Sequence, residues 1–288
     1  MRSLLIELAQ AGGRIIRDHF EQVRLHDASS KGSRDYVSHV DRLSEDAIVT
    51  RIRRRFPEHA IIAEEGTAPE ETPAFDDHRP CWIIDPLDGT TNFIHGLPAF
   101  AVSIAFCDRG NAIRHGIVYD PIRDEQFIAE RDAGLWIGDR RVYTSDCKQI
   151  GEALVATGLP FRNLDPLDDA LRAFAGLQRQ VDDHRRGGCA SLDLAYVAVG
   201  RLDAYYELGI YPWDVAAGEL LVRCGGGKAT DLDGGSGPIT GRRSILAAAT
   251  PVLHEAMMPH LGPLRAWLDR DPYRGWSAVP PPTGDAAG

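Results

Sequence analysis

One stretch constrains this 288-residue chain more than any other, the run I-D-P-L-D-G-T-T-N-F at residues 84–93. It continues the apolar run C-W-I-I at residues 81–84, which has the pattern of a buried strand. Asp85 and Asp88 therefore lie at the border of a hydrophobic core. Carboxylates in such a position are costly unless cations neutralise them. The stretch thus predicts a site for positive charge at the end of a buried strand.

Helical and strand-like patterns alternate in the first half of the chain. Residues 4–20 carry apolar side chains at helical spacing and predict a first helix, and residues 41–56 predict a second. Residues 60–63 predict a short strand that ends at Glu64. Three strand-like runs joined by short turns between residues 101 and 129 predict an antiparallel meander.

Strands and helices alternate again after residue 150. The predicted strands cover residues 153–157, 202–206 (which Glu207 ends) and 245–249, and the predicted helices cover residues 168–180, 191–199 (with Ser191 as N-cap), 215–223 and 252–268. We therefore predict an α+β fold with two layered subdomains. Residues 1–149 would carry a metal and phosphate site, residues 150–270 would complete the substrate pocket, and the proline-rich residues 271–288 would form a disordered tail.

Further acidic residues lie at the ends of these predicted elements. Glu64 follows one strand, and Asp214 lies at the start of the helix at residues 215–223. Functional groups often occupy such positions on a rigid scaffold. Carboxylates gathered in this way suit hard divalent cations, which prefer oxygen ligands. Together with Asp85 and Asp88, these acids predict a site for one or more divalent metal ions.

The residues that follow the two aspartates predict an anion site beside the metals. Gly89 permits a tight backbone turn, and Thr90 and Thr91 then open a helix. Backbone N–H groups and hydroxyls at a helix N-terminus bind anions such as phosphate. Metal ions next to a phosphate cradle indicate phosphoryl transfer to water.

Other phosphatase and hydrolase motifs do not match. Asp85 and Asp88 are one residue too far apart for the D-x-D-G-[TV] pattern of enzymes that form an aspartyl-phosphate. Lys228 is followed by Ala229, so the chain lacks the G-K-[ST] of a Walker loop. Neither G-x-S-x-G nor H-E-x-x-H occurs. The chain therefore lacks the residues that phosphatases and hydrolases with a covalent intermediate need.

Composition limits the binding partners and the cellular compartment that we expect for this chain. A net charge of -10 disfavours direct binding of nucleic acid, and the basic run at residues 51–55 is interpreted as a solvated helix face. The five cysteines are scattered, which disfavours a disulfide framework and predicts a reducing cytoplasm. No run approaches the ~20 apolar residues of a membrane span. We therefore expect a soluble cytoplasmic protein.

From about Leu4 to Leu268 the sequence resembles the inositol monophosphatase family. The resemblance is carried by five segments, at residues 31–41, 63–65, 82–93, 188–190 and 206–218, and the segment at residues 191–196 is most similar to bacterial members that also act as transcription-linked suppressors. It implies a layered α/β/α/β/α sandwich, a homodimer, dependence on Mg²⁺ and sensitivity to Li⁺.

The resemblance also implies roles for individual residues. The Mg²⁺ ligands would be Glu64, Asp85, the Leu87 carbonyl, Asp88 and Asp214, with Asp85 bridging two ions. A water polarised with help from Glu64 and Thr90 would attack phosphorus, and Asp41 would support Thr90. The substrate would contact Asp88, Gly89, Thr90, Thr91 and Asp214 around its phosphate and alkoxide, and Gly188, Cys189, Ala190 and Glu207 at its hydroxyls.

The identity of the alcohol stays open at this point. Inositol monophosphate is the substrate that the resemblance implies, but histidinol phosphate, a 3'-phosphoadenosine nucleotide or fructose-1,6-bisphosphate would undergo the same chemistry. Cys189 departs from the hydroxyl residue expected there, and a thiol is a weaker hydrogen-bond donor. A hypothesis of another class is a partner of the transcription machinery with incidental phosphatase activity. The basic run at residues 51–55 or the basic pair at residues 185–186 could serve this role, although the pair could equally lie at the dimer interface.

Overall fold

The computed structural model describes residues 1–23, 29–32, 35–66, 79–108, 112–161, 163–235 and 243–270. The tail predicted at residues 271–288 lies outside these residues. Within them the helices are α1 Arg2–His19, α2 His39–Arg55, α3 Thr90–Ile94, α4 Leu167–Gln178, α5 Ala190–Ala198, α6 Pro212–Gly225, α7 Pro251–Met257 and α8 Gly262–Arg270. The strands are β1 Ser29–Gly32, β2 Asp35–Val37, β3 Ala60–Ala63, β4 Cys81–Asp88, β5 Ala101–Cys107, β6 Ile113–Asp120, β7 Glu125–Glu130, β8 Gly134–Ile137, β9 Arg140–Arg141, β10 Leu154–Thr157, β11 Asp183–Arg185, β12 Ala204–Ile210, β13 Lys228–Thr230 and β14 Arg243–Ala248.

The first large sheet contains seven strands in the order β3-β4-β5-β6-β7-β8-β9. Strands β3 and β4 are parallel, and every later neighbour is antiparallel. The predicted meander is therefore confirmed, and it continues through β8 and β9, which the sequence patterns did not predict. Their short length, four and two residues, explains why no alternation was visible.

Strand β4 runs further than the apolar pattern predicted, because it bulges rather than ends at the aspartates. Asp85 pairs with Ser103 and Asp88 with Ala101, so the register shifts between the two pairs. Pro86 has no N–H to give to a ladder, which makes it compatible with a bulge. The Ser44 hydroxyl on α2 donates to the Pro86 carbonyl at 2.8 Å and fixes the bulge against that helix.

The second sheet has five strands in the order β11-β10-β12-β14-β13. The prediction that Glu207 ends its strand is wrong, because β12 continues to Ile210 after a register shift against β14. The single C-terminal helix predicted at residues 252–268 is also wrong. It is divided into α7, a 3₁₀ turn at Met258–Leu261 and α8. Pro259 accounts for the break, since proline has no N–H to donate to a helix hydrogen bond.

Five layers result from the packing of helices on these two sheets. Helices α1 and α2 cover the outer face of the first sheet, α5 and α6 lie between the sheets, and α4, α7 and α8 cover the second sheet. Three apolar clusters fill the spaces between layers, and the largest surrounds α5 and α6. The predicted α/β/α/β/α sandwich is confirmed. No helix in the described part of the chain is long and apolar enough to cross a membrane.

Candidate metal centre

A cavity of about 280 Å³ lies where β4 meets the N-terminal ends of α3, α5 and α6. All of the site residues predicted from the sequence line it except Asp41. The side chains and backbone that line it belong to Glu64, Asp85, Leu87, Asp88, Gly89, Thr90, Thr91, Asn92, Thr157, Gly158, Phe161, Arg186, Gly188, Cys189, Ala190, Asp193, Tyr205, Glu207, Ile210 and Asp214. The fold thus brings together residues from both halves of the sequence.

Three carboxylates form the centre of the cavity. Asp85, Asp88 and Asp214 each have one oxygen within 4.8 Å of an oxygen of the other two. The β4 bulge supplies the first two, and the first turn of α6 supplies the third. Asp85 is only 1% exposed and Asp88 8% exposed. Spacing of this kind allows three oxygen ligands to reach one divalent ion.

The electrostatics of Asp85 show how strongly this cluster requires positive charge. Burial raises the pKa of Asp85 well above its ordinary value, and the charges of Glu64, Asp88 and Asp214 raise it further. The carboxylates of Glu64, Asp85, Asp88 and Asp214 thus repel one another around a buried position, and a bound cation would relieve that repulsion.

Asp88 is held in one orientation by the first turn of α5. Its Oδ2 accepts hydrogen bonds from the Ser191 N–H at 2.7 Å, the Ser191 hydroxyl at 2.6 Å and the Cys189 thiol at 3.2 Å. Burial raises the pKa of Asp88, and the bonds from Ser191 oppose that shift. Among the described residues no donor reaches Oδ1, so this oxygen is left to face the cavity.

The prediction that Ser191 is the N-cap of its helix is wrong. Helix α5 begins one residue earlier, with Cys189 as N-cap, and the Ser191 hydroxyl turns to Asp88 instead. The reason is tertiary, because a buried carboxylate more than 100 positions earlier accepts this bond at the positive end of the helix dipole. The Cys189 thiol is 2% exposed, and burial beside Asp88 raises its pKa well above the ordinary range, so it stays a thiol donor.

Asp41, Thr90 and the Leu87 carbonyl form a second group at the edge of the cluster. The Thr90 hydroxyl lies 2.8 Å from Asp41 Oδ1 and 3.1 Å from the Leu87 carbonyl oxygen. Asp41 Oδ2 accepts from the Ser38 N–H and hydroxyl at the start of α2. Burial raises the pKa of Asp41 to about 6. The expected bond between Asp41 and Thr90 is therefore present, although Asp41 itself does not line the cavity.

Glu64 lies slightly apart from the three clustered aspartates. It is half-buried, directly follows β3 and lines the cavity. Its charge contributes to the raised pKa of Asp41, Asp85 and Asp88. In the described part of the chain it is not among the carboxylates that come within 4.8 Å of one another. Its assignment as a metal ligand stays a prediction.

The turn after Asp88 has the backbone that the sequence predicted. Gly89 has a φ of 91°, in the left-handed region, and a Cβ on it would lie 2.9 Å from the Ala99 carbonyl oxygen. Helix α3 follows, and its first internal bond is donated by Phe93 to the Gly89 carbonyl. The amides of Thr90 and Thr91 precede that bond and have no acceptor inside the helix.

The side of the cavity away from α3 contains residues that the sequence did not single out. Tyr205 donates its hydroxyl to Glu207 Oε2, and Gly158 lies against the Glu207 carboxylate. Tyr205 lies on β12 and Gly158 directly follows β10, and no local motif marks either of them. Asn92, on α3, donates to the Ala99 carbonyl at 2.7 Å and to the Gly187 carbonyl at 2.9 Å, which ties α3 to the loop that carries Gly188.

Comparisons with known proteins agree with this geometry. The family model of the "Inositol monophosphatase family" matches residues 1–265. "Nus factor SuhB" of Pseudomonas aeruginosa is 42% identical over 268 residues, which is 91% of this chain and 97% of that protein. The crystal structure of extragenic suppressor protein suhB from Bartonella henselae superimposes with a TM-score of 0.81 at 37% identity, covering 90% of this chain and 97% of that one. The inositol monophosphatase from Anabaena (Nostoc) has a TM-score of 0.74 at 34% identity, covering 92% and 97%.

Proposed function

Because the chain belongs to the inositol monophosphatase family, we propose that it is a Mg²⁺-dependent phosphomonoesterase that hydrolyses myo-inositol monophosphate to inositol and phosphate. The observation that carries this proposal is the group of Asp85, Asp88 and Asp214, whose oxygens lie within 4.8 Å of one another in a cavity. Beside it lie hydroxyls and backbone amides that can hold a phosphate, and a carboxylate that can hold an alcohol.

The donor set of the cluster fits Mg²⁺. All of its candidate ligands are oxygen atoms, namely the three carboxylates, Glu64 and the Leu87 carbonyl, and hard dications prefer oxygen. The carboxylates of Asp85 and Asp88 are buried and repel each other, and a bound dication would neutralise their charge. When bound, Mg²⁺ would neutralise phosphate charge and lower the pKa of a water molecule.

Thr90 and Asp41 would orient the attacking water. The Thr90 hydroxyl has one proton, and the shorter of its two contacts is to Asp41 at 2.8 Å. With that proton directed to Asp41, the oxygen of Thr90 can accept a hydrogen bond from water. Glu64, on the cavity wall, would accept the second proton of the same water. This pair aligns the water without a histidine base.

Phosphate and alcohol would occupy opposite ends of the cavity. The amides and hydroxyls of Thr90 and Thr91, at the start of α3, would hold the phosphate oxygens. Asp214 would lie beside the departing alkoxide. Glu207, fixed by the Tyr205 hydroxyl, would accept a hydrogen bond from a ring hydroxyl, and Gly188 and Ala190 would form the adjoining wall.

A panel of phosphate esters, assayed for phosphate release with Mg²⁺ and again with EDTA, tests the proposal. Myo-inositol 1-phosphate, histidinol phosphate, 3'-phosphoadenosine 5'-phosphate and fructose-1,6-bisphosphate form the panel. We expect release that needs Mg²⁺ and is fastest with inositol phosphate. Phosphate release that persists in EDTA would refute the metal assignment. A higher kcat/KM for another ester would identify that ester, and not inositol phosphate, as the preferred substrate.

A second function is favoured by the relative named as a Nus factor, which is 42% identical over almost its whole length. We propose that this chain also binds a component of the transcription machinery in the cytoplasm, either as a homodimer or as a released protomer. Purified RNA polymerase passed over the immobilised chain, and over the immobilised Asp88→Asn variant, tests it. Retention by both supports a binding role separate from catalysis, whereas no retention by either removes the hypothesis. Light scattering in the same buffer tests the homodimer.

A further inference from the structure

Asp193 is a buried carboxylate in the wall of the cavity to which the proposed function gives no role. It lies in the first turn of α5 and is 6% exposed. Its side chain accepts no hydrogen bond from any residue in the described part of the chain, and its interactions are the charges of Asp88, Glu207 and Arg186. Buried polar groups are normally hydrogen-bonded, so a carboxylate left without a donor needs an explanation.

The backbone leaves room for this carboxylate, and among the described residues no protein group donates to it. Gly187 lies so close that a Cβ on it would approach Asp193 Oδ1 to 2.6 Å. Arg186, the one cation that lines the cavity among the described residues, is exposed and forms no ion pair with Asp193. Since Asp193 lines the cavity, a molecule bound there can supply the donors that the described part of the chain does not.

We propose, on the basis of the proposed function, that Asp193 is a second acceptor for the alcohol part of the substrate. Asp193 and Glu207 both line the same cavity, so one bound molecule can contact both carboxylates. Each can accept a hydrogen bond from a separate hydroxyl of one ring. The class of alcohol selected is therefore a polyol with at least two hydroxyls that point away from the phosphate. An alcohol that carries a second phosphate is disfavoured, because that phosphate would approach two carboxylates.

The test compares esters that share a ring but differ in hydroxyls. Myo-inositol 1-phosphate and cyclohexyl phosphate have the same six-membered ring, and only the first can donate to Asp193. In Asp193→Asn we expect kcat/KM for the inositol ester, measured at pH 9, to fall about ten- to a hundred-fold, the loss typical of a hydrogen bond to a charged group. Burial raises the pKa of Asp193 to about 8, so the carboxylate is charged at pH 9. The value for cyclohexyl phosphate should stay within about two-fold. The kcat/KM ratio of fructose-1,6-bisphosphate to inositol phosphate should rise.

A matched variant separates this role from a structural one. Asp169→Asn also removes a carboxylate that is only 7% exposed, but Asp169 pairs with Arg172 on α4 and does not line the cavity. It should leave the ratio of the two esters unchanged. Equal losses for both esters in Asp193→Asn would make Asp193 structural, and no loss for either would remove it from the substrate site; both results overturn the inference.

The inference and the proposed function fail in different ways. If the wild-type chain releases no phosphate from any ester, the proposed function fails. The role of Asp193 is then decided by thermal-shift titration with the two esters in Mg²⁺, which measures binding without turnover. Tighter binding of inositol phosphate that is lost in Asp193→Asn supports it, and equal binding of both esters refutes it.

Discussion

Replacing Ser191 by alanine tests whether Asp88 is an oriented metal ligand. The hydroxyl of Ser191 donates to Asp88 Oδ2 at 2.6 Å, and in the alanine variant the Ser191 amide and the Cys189 thiol would be left on that oxygen. A hydrogen bond to a charged group contributes about 1.5–3 kcal/mol. Partners of this kind typically change metal affinity by about 10- to 100-fold. We expect the Mg²⁺ concentration for half-maximal activity to rise within that range.

The assay is the initial rate of phosphate release as a function of Mg²⁺ concentration. Because Ser191→Ala leaves the ligand itself in place, its kcat at saturating Mg²⁺ should recover most of the wild-type value. Ser244→Ala is the control, since Ser244 is also buried and hydrogen-bonded but lies on β14 and does not line the cavity. An unchanged Mg²⁺ dependence in Ser191→Ala would refute the claim that this hydroxyl positions a metal ligand.

Three further predictions follow from the same site. LiCl should inhibit turnover at submillimolar to millimolar concentrations relative to KCl, because Li⁺ is small enough for a Mg²⁺ site but has half its charge; equal rates in the two salts would contradict the geometry. Glu207→Gln should lower kcat/KM for inositol phosphate by about ten- to a hundred-fold and leave p-nitrophenyl phosphate nearly unaffected, and equal losses would place Glu207 at the metals or in the fold. The pKa values of Asp41 (about 6), Asp85 and Asp88 are raised in the folded metal-free chain. The folded state therefore binds more protons than the unfolded state, so this contribution to stability is complete below about pH 4 and is lost as the pH rises through the raised values. In EDTA, Tm should thus fall between pH 5 and pH 8, and Mg²⁺ should raise Tm more at pH 8; an equal Mg²⁺ effect at both values would count against the cluster as its site.

Residues of the site could be predicted where several functional side chains are close together in the sequence. Asp85, Asp88 and Gly89 stand in one short motif, and their unusual combination of acids, proline and glycine is visible without a structure. Asp214 was predictable from its place at a helix start. By contrast, Asp193 and Tyr205 line the cavity only through tertiary packing, because α5 begins beside Asp88 and packs against β12, and such contacts leave no trace in local spacing.

The difference between local patterns and tertiary contacts also explains which strands could be predicted. The meander was predictable because its strands are strand-like runs that short turns join. Strands β11 and β13, three residues each, were not predicted, because D-H-R and K-A-T have no alternating pattern. They form strands only because they pair with an edge of the second sheet. Ser191 was misassigned for a related reason. The group that accepts the hydrogen bond of its hydroxyl is the Asp88 carboxylate, which lies on β4 and not in the helix that contains Ser191.

Phosphate release from myo-inositol monophosphate by Asp88→Asn at saturating Mg²⁺, measured beside the wild type, tests whether the cluster of Asp85, Asp88 and Asp214 is the catalytic metal site. Asparagine keeps the size of the side chain but loses the charge that makes a good ligand for a hard dication. We expect that the folded variant, with a melting curve like that of the wild type in EDTA, loses nearly all turnover. A variant that retains half of the wild-type rate would contradict the assignment of this cluster as the catalytic metal site.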